Sequence, residues 1–194
     1  MGKTTLAKAL QEILAEPYFL MGIDMYWFTM PESQIDLLKV DPEFYKWIEE
    51  EEDGQKWFRI IPGPLLDRLM VGRYYAVAEY LRAGFNVIAD DVIWKRLWLE
   101  ETIKALSGLE VLFIGVHCND KVSAEREIKR GDRWLGWARG SARYCHRDAV
   151  YDLEIDTSFA TPEELAQKIK LEMEAGIEMR AFETLKAKLL QPQS

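Results

Sequence analysis

The sequence predicts an α/β fold: a three-layer arrangement with a parallel sheet covered by helices on both faces. Three observations carry that prediction. Short apolar runs alternate with helically spaced segments along most of the 194 residues. Several of those runs end in polar groups, at Asp24, at Asp90-Asp91 and at Asn119-Asp120, as buried parallel strands do at their carboxyl edge. The opening helix begins with Gly2-Lys3-Thr4-Thr5, the closing part of the phosphate-binding pattern G-x-x-x-x-G-K-[ST].

Residues 4–15 read as a helix, with Leu6, Leu10, Ile13 and Leu14 on one face and Pro17 ending it. Residues 18–24 form a first strand that closes on Asp24. Residues 25–70 are irregular and aromatic, with Trp27, Phe28, Phe44, Tyr45, Trp47, Trp57 and Phe58, and 55–61 alternates weakly as an edge strand. Pro62-Gly63-Pro64 is a breaker, and 65–82 returns to helical spacing until Ala83-Gly84. A second strand spans 86–91, a helix 95–106, and the most apolar strand 109–118. Residues 122–130 are helical. The Gly-, Arg- and Trp-rich stretch 131–147 reads as a mobile cover, with Trp134 and Trp137 as its apolar face. A fourth strand covers 151–157. Thr161-Pro162-Glu163-Glu164 opens the last helix with a cap, a first-turn proline and acids at the positive end of the dipole. That helix runs to about Leu190 with a break near Gly176.

Charge narrows the function. Twenty-five basic against thirty-three acidic residues give a net charge of −8, which argues against a general nucleic-acid binder. No apolar run is long enough for a membrane span, and two cysteines without metal spacing suit a reducing cytoplasm. The charge is uneven. Residues 41–53 carry seven acids, and 126–147 carry seven bases, among them Arg126, Arg130 and Arg133, which suit a local anionic ligand or, as charge runs more commonly do, a solvated helical face.

The residue types specify a chemistry. In the full loop pattern, backbone N–H groups and the lysine hold nucleotide phosphates, and the threonine hydroxyl meets Mg²⁺. Asp24, Asp90 and Asp91 fall at the strand edge beside Lys3 and Thr4. One of the Asp90–Asp91 pair is expected to bond its own loop, and Asp91 is the one expected to face an acceptor. Arg126 and Arg130 are four apart, so a helix aims both to one side. Trp27 lines an acceptor pocket or belongs to the core.

Four segments in order resemble the chloramphenicol phosphotransferase-like proteins, small P-loop kinases. They are Gly2-Lys3-Thr4-Thr5-Leu6-Ala7, Gly22-Ile23-Asp24, the run Ala83 to Val92, and Arg126-Glu127 with Arg130-Gly131-Asp132-Arg133 leading through His146 to Thr157. The resemblance covers roughly residues 2–173. It implies a phosphotransferase domain over 1–174, with a lid at about 122–147 and a helical extension over 175–194. It implies ATP and Mg²⁺ as co-substrates and a small-molecule hydroxyl as acceptor. Gly2, Lys3, Thr4, Thr5 and Arg126 then bind nucleotide, Thr4 and Asp90 the metal, and Asp91 and Trp27 the acceptor. Asp24 is the general base, with Arg130 and Arg133 reaching the moving phosphoryl group. Ile177, Phe182, Leu185 and Leu189 make a homodimer contact or dock on the parent domain.

The strand order implied by the resemblance is 2-3-1-4-5. Its central strand and the first part of the loop stand before Gly2 in the pattern and are not in this sequence, and an upstream start is the expected reason. Strands 18–24 and 86–91 should then be unable to pair with 109–118 and 151–157 unless the sheet closes up in a new register. The chain should bind ATP weakly. A nucleotide-binding module without turnover is the alternative reading.

Overall fold

The structure is a computed structural model and describes residues 2–35, 41–52, 54–131 and 135–190. The described elements are α1 (Lys3–Ile13), β1 (Tyr18–Leu20), α2 (Ile23–Trp27), α3 (Glu32–Ile35), β2 (Tyr45–Glu52), β3 (Gln55–Pro62), α4 (Pro64–Arg82) and β4 (Asn86–Ile88). There follow α5 (Arg96–Ala105), β5 (Ile114–His117), α6 (Asp120–Arg130), α7 (Trp137–Cys145), β6 (Leu153–Asp156), α8 (Pro162–Glu174) and α9 (Ala181–Leu189).

The parallel sheet comes in two halves. β1 pairs with β4 in parallel, with Phe19 opposite Val87. β5 pairs with β6 in parallel, with Val116 opposite Ile155. Among the described residues no ladder joins β4 to β5, so the sheet has not closed up in a new register. Helices cover both faces. On one face α1 and α8 bring Leu6, Leu10, Leu165 and Ile169 against Ile155, Ile88 and Ile114. On the other, α4 and α5 supply Val77, Ala78, Leu99 and Ile103 against Val87, Val111 and Phe113. Each fully buried aliphatic side chain contributes about 1.5–3 kcal/mol.

The strands are shorter than the apolar runs that predict them. The run Leu109–Phe113 lies outside β5, and Asp24 sits in the first turn of α2 rather than at a strand end. Residues 45–52, expected to be irregular and acidic, form a strand instead. β2 and β3 make an antiparallel hairpin in which Glu50 meets Arg59 at 3.0 Å and Trp47 packs edge-on against Phe58 at 5.5 Å. Cross-strand pairs of this kind are what hold a two-stranded ribbon.

The final helix does break near Gly176, giving α8 and α9. Thr161 and Glu164 form the reciprocal capping box at the start of α8. In α9, Leu185 and Leu189 are buried against Leu99 and Ile103 of α5, with Phe182 edge-on to Phe113 at 5.3 Å. Of the two expectations for these side chains, docking on the parent domain is the one observed. Among the described residues no helix is long and apolar enough to cross a membrane.

Candidate active site

The site forms where α1, β1 and β4 converge. Gly2 caps α1 with φ +83°, a left-handed conformation that glycine adopts without strain. No side chain caps this helix end, so its first N–H groups and the positive end of the dipole are available to an anion. Lys3 and Thr4 follow at once. Thr4 donates its hydroxyl proton to Asp90 Oδ2, and Lys3 Nζ stands 3.9 Å from Asp90 Oδ1. The Asp90 side chain is only 7% exposed, and its Oδ1 is buried with no hydrogen-bond partner. A buried carboxylate oxygen in that state favours a nearby cation. Thr5 is exposed on the same helix turn.

Asp24 is reached through the backbone. Ile23 N–H donates to the Asp90 carbonyl at 2.9 Å, and an added methyl group on Gly22 would sit 3.6 Å from Asp90 Cβ. This sets α2 beside Asp90, with the Asp24 carboxylate exposed in its first turn. Three residues further, Trp27 stacks obliquely on Phe44 and Tyr45 at 4.9 and 5.3 Å and is half-buried against the main aromatic core. Most of its ring is therefore committed to packing.

Asp91 corrects the expectation. It does not present a free carboxylate to an acceptor. Its Oδ2 accepts from Arg73 Nη1 at 2.6 Å and its Oδ1 from Val92 N–H at 2.7 Å. It is the loop-bonding member of the pair, and Asp90 is the one that faces Lys3 and Thr4. Arg73 also donates to the Met21 carbonyl at 3.1 Å and has no exposed side-chain surface. It thus ties the end of β1 to the end of β4, one residue from each of Gly22 and Asp90. Sequence reasoning passed over it. The signal was an arginine inside the apolar stripe Leu66, Met70, Tyr74 and Val77 of α4.

The second half-sheet brings Arg126. From α6 it donates to the Thr157 carbonyl at 2.6 Å and the Thr157 hydroxyl at 3.2 Å, and its Nη1 is 3.6 Å from the place a side chain on Gly2 would start. The guanidinium lies over the α1 tip. Arg130 is on the same helix one turn on, exposed in its last turn. Arg133 lies outside the described residues.

The expected cover is partly helical. α7 lies on the hairpin, with Gly140 so close to β3 that a Cβ would meet the Phe58 carbonyl oxygen at 1.8 Å. Glu127 of α6 is buried and accepts from the N–H groups of Gly136 and Ala138 at 2.6 and 2.9 Å. It caps α7 rather than pairing with a lid arginine. Nothing in the local sequence marks that role, which exists only once α6 and α7 meet. At the other end of α7, burial pushes the Cys145 thiol up to about 12, so it is a poor nucleophile. His146 stacks on His117 at 4.2 Å and shares a 2.7 Å hydrogen bond with the Tyr151 hydroxyl. Burial, reinforced by His117, lowers His146 to about 4. Among the described residues no cluster of three or more His, Cys, Asp or Glu could hold a metal alone, which leaves Thr4 and Asp90 as a partial set.

A parallel α/β fold with a lysine–threonine helix tip, strand-end carboxylates and an overhanging arginine defines a kinase-like phosphotransferase. The chain belongs to the chloramphenicol phosphotransferase-like family, whose model matches residues 1–174. Two relatives from Mycobacterium tuberculosis are similar along most of their length: "Putative O-phosphotransferase MT2714" of strain CDC 1551 / Oshkosh and "Putative O-phosphotransferase Rv2636" of strain ATCC 25618 / H37Rv. Each is 46% identical over 190 residues, spanning 97% of this chain and 84% of the relative. A crystal structure titled as a "putative kinase" from Chloroflexus aurantiacus matches with a TM-score of 0.56 at 17% identity, over 90% of this chain and 91% of that one. That likeness concerns the fold alone.

Proposed function

We propose that the chain takes ATP with Mg²⁺ and moves the γ-phosphoryl group to a hydroxyl of a small molecule in the cytoplasm. One observation carries this reading: Lys3, Thr4 and Asp90 meet at the uncapped tip of α1, and Arg126 overhangs the same tip. Phosphoryl transfer needs positioning and charge neutralisation more than covalent help from the protein. Lys3 and Arg126 supply positive charge from two sides, and Arg130 and Arg133 are the residues proposed to reach the moving phosphoryl group. Thr4 and Asp90 are the residues that would hold Mg²⁺, which supplies neutralisation of the phosphate oxygens. The orphaned Oδ1 of Asp90 supports that fit. Asp24, exposed beside Asp90, orients the acceptor hydroxyl and takes its proton. Half-exposed Trp27 borders the acceptor. The family's name does not fix that acceptor.

The test is ATP turnover against a panel of hydroxylated metabolites and antibiotics, chloramphenicol included. Asp24→Asn should lower turnover by about 10²–10⁴-fold on an identified acceptor. Full turnover by that variant removes the assigned base. A second reading is nucleotide binding without turnover. Calorimetry with Mg-ATP separates the two. Binding without hydrolysis or transfer supports the second reading, and no binding removes both.

A further inference from the structure

Two of the proposed functional carboxylates sit on separate pieces of chain, and neither piece holds itself in place. Asp24 is exposed in the first turn of α2, a helix of 5 residues whose N-cap, Gly22, supplies no side-chain cap. A helix that short is not stable by its own hydrogen bonds. Asp90 lies on the loop that follows β4, a strand of 3 residues. Phosphoryl transfer needs the two carboxylates at a set separation, because a misplacement of about 1 Å can cost about a hundredfold in rate. Something outside both segments must hold their spacing.

Arg73 of α4 reaches both. Its Nη2 donates to the Met21 carbonyl at 3.1 Å, shortly before Asp24, and its Nη1 donates to Asp91 Oδ2 at 2.6 Å, next to Asp90. The guanidinium also lies 5.8 Å from the centre of the Tyr26 ring, just after Asp24, and 5.4 Å from that of Tyr74. The side chain has no exposed surface, and its Nε is buried without a partner. As a stabilising device this is a poor choice. A buried ion pair costs desolvation, and an apolar pair of similar volume often holds a core as well or better. What an apolar pair lacks is direction. The planar guanidinium donates along two fixed lines and so sets one segment against another, whereas a lysine ammonium is a single point of charge.

We infer that Arg73 is a positioning residue for the phosphoryl transfer, holding Asp24 at a working distance from Asp90 through Met21, Tyr26 and Asp91. The inference rests on the roles proposed above for those two carboxylates. With no exposed surface Arg73 has nothing to offer a ligand, so it acts only through the segments it ties. Those segments depend on it unequally. Asp90 keeps Thr4 and Lys3 as partners without it. The chain from Gly22 to Asp24 keeps only the bond from Ile23 N–H to the Asp90 carbonyl, at 2.9 Å, as its tie to that strand end. Loss of Arg73 therefore displaces Asp24 and spares the helix tip that takes the phosphates. Its effect falls on kcat and not on the affinity for Mg-ATP.

The test compares three variants of the whole chain in steady-state transfer to an identified acceptor, with urea unfolding and residue-resolved amide hydrogen exchange alongside. The first is Arg73→Lys. The second, Arg73→Met with Asp91→Leu, strands no charge and regains stability. The third, Tyr26→Leu, leaves the bonds of Arg73 in place and serves if the others do not fold. The expected result is kcat lowered about ten- to a hundredfold in the first two and about threefold in the third, with KM for Mg-ATP within about threefold of the parent's. Exchange at Ile23 and Phe28 should quicken about tenfold, with Leu165 and Ile169 of α8 unchanged. A double variant that recovers kcat together with its urea midpoint overturns the inference, because Arg73 is then a stabiliser alone. So does a rise in KM for Mg-ATP that accounts for the loss, an unchanged kcat in the folded variants, or exchange that quickens equally in α8. The exchange readout needs no turnover. A parent chain that phosphorylates no acceptor strikes the proposed function, and the exchange pattern then decides by itself whether Arg73 holds α2 in place.

Discussion

The two half-sheets each end in a loop fastened by an arginine, and the two arginines are fastened differently. Arg73 binds the Met21 carbonyl and the Asp91 carboxylate and is fully buried. Its charge is neutralised inside the protein. Arg126 binds the carbonyl and hydroxyl of Thr157, both neutral, and forms no close ion pair among the described residues, its charge reaching the exposed Asp156 carboxylate only at longer range. Its charge is left over, and it is left over at the tip of α1. A guanidinium matched by a carboxylate is a fastener. One matched only by dipoles still seeks an anion. The difference explains why the β1–β4 half carries the acids of the site in fixed positions, while the β5–β6 half offers the cation.

The comparison breaks first, and hardest, at Arg73. Arg73→Met should destabilise the chain by about 3–5 kcal/mol, because it leaves the Asp91 carboxylate without its buried partner. Urea unfolding at pH 7 measures this. Replacing both members, Arg73→Met with Asp91→Leu, should recover part of the loss, since no charge is then stranded. A single variant as stable as the parent would show that the pair does not hold the strand ends.

Arg126 should behave in the opposite way. Arg126→Met removes two hydrogen bonds to buried Thr157 and a long contact to Cys118 Sγ but strands no charge, so its stability cost should be about 1–3 kcal/mol, below that of Arg73→Met. Its effect on inorganic tripolyphosphate affinity should be larger, about ten- to a hundredfold weaker, as befits a charged hydrogen bond worth about 1.5–3 kcal/mol. Calorimetry at low salt reads it. Arg73→Met, in the fraction that stays folded, should leave that affinity closer to the parent's. If the two variants weaken phosphate binding equally, the contrast between fastener and free cation is wrong.

Much of this arrangement was legible in the sequence, and the parts that were not share a cause. Lys3, Thr4 and Asp90 could be placed because strand-end and helix-start positions follow from local periodicity, whereas Asp24, expected at a strand end, lies in the first turn of α2. The separation of the β1–β4 pair from the β5–β6 pair followed from the strand order that the resemblance implies. Asp91 was misread because its partner, Arg73, is eighteen residues away and on another layer. Glu127 was unreadable for the same reason, since its partners belong to the next helix. The hairpin is a different failure. Asp53-Gly54 between Glu52 and Gln55 is a strong two-residue hairpin signal, but the acidic, aromatic stretch before it has no clear period and reads as irregular. Cross-strand ion pairs made those acids compatible with a strand.

The smallest expected effect separates the halves by pH. His146 packs on the end of β5, against His117 and Tyr151, with Glu154, Cys145 and Lys3 nearby. Burial lowers it from 6.5 to about 4 in the folded chain. The unfolded chain therefore takes up a proton first as pH falls. The stability tied to the neutral ring is fully present above about pH 6.5 and is lost as pH drops toward 4. Because the ring is only half-buried, solvent screening reduces the loss to about 1–2 kcal/mol. His146→Gln should flatten the fall in stability between pH 7 and pH 4.5 by that amount. Arg73 does not titrate in this range, so amide exchange at Met21 and Ile88 should respond less to pH than exchange at Val116 and His117. Acid that loosens both halves alike, in the parent and in His146→Gln, would mean that the proton is taken up elsewhere and that the β5–β6 half has no pH sensitivity of its own.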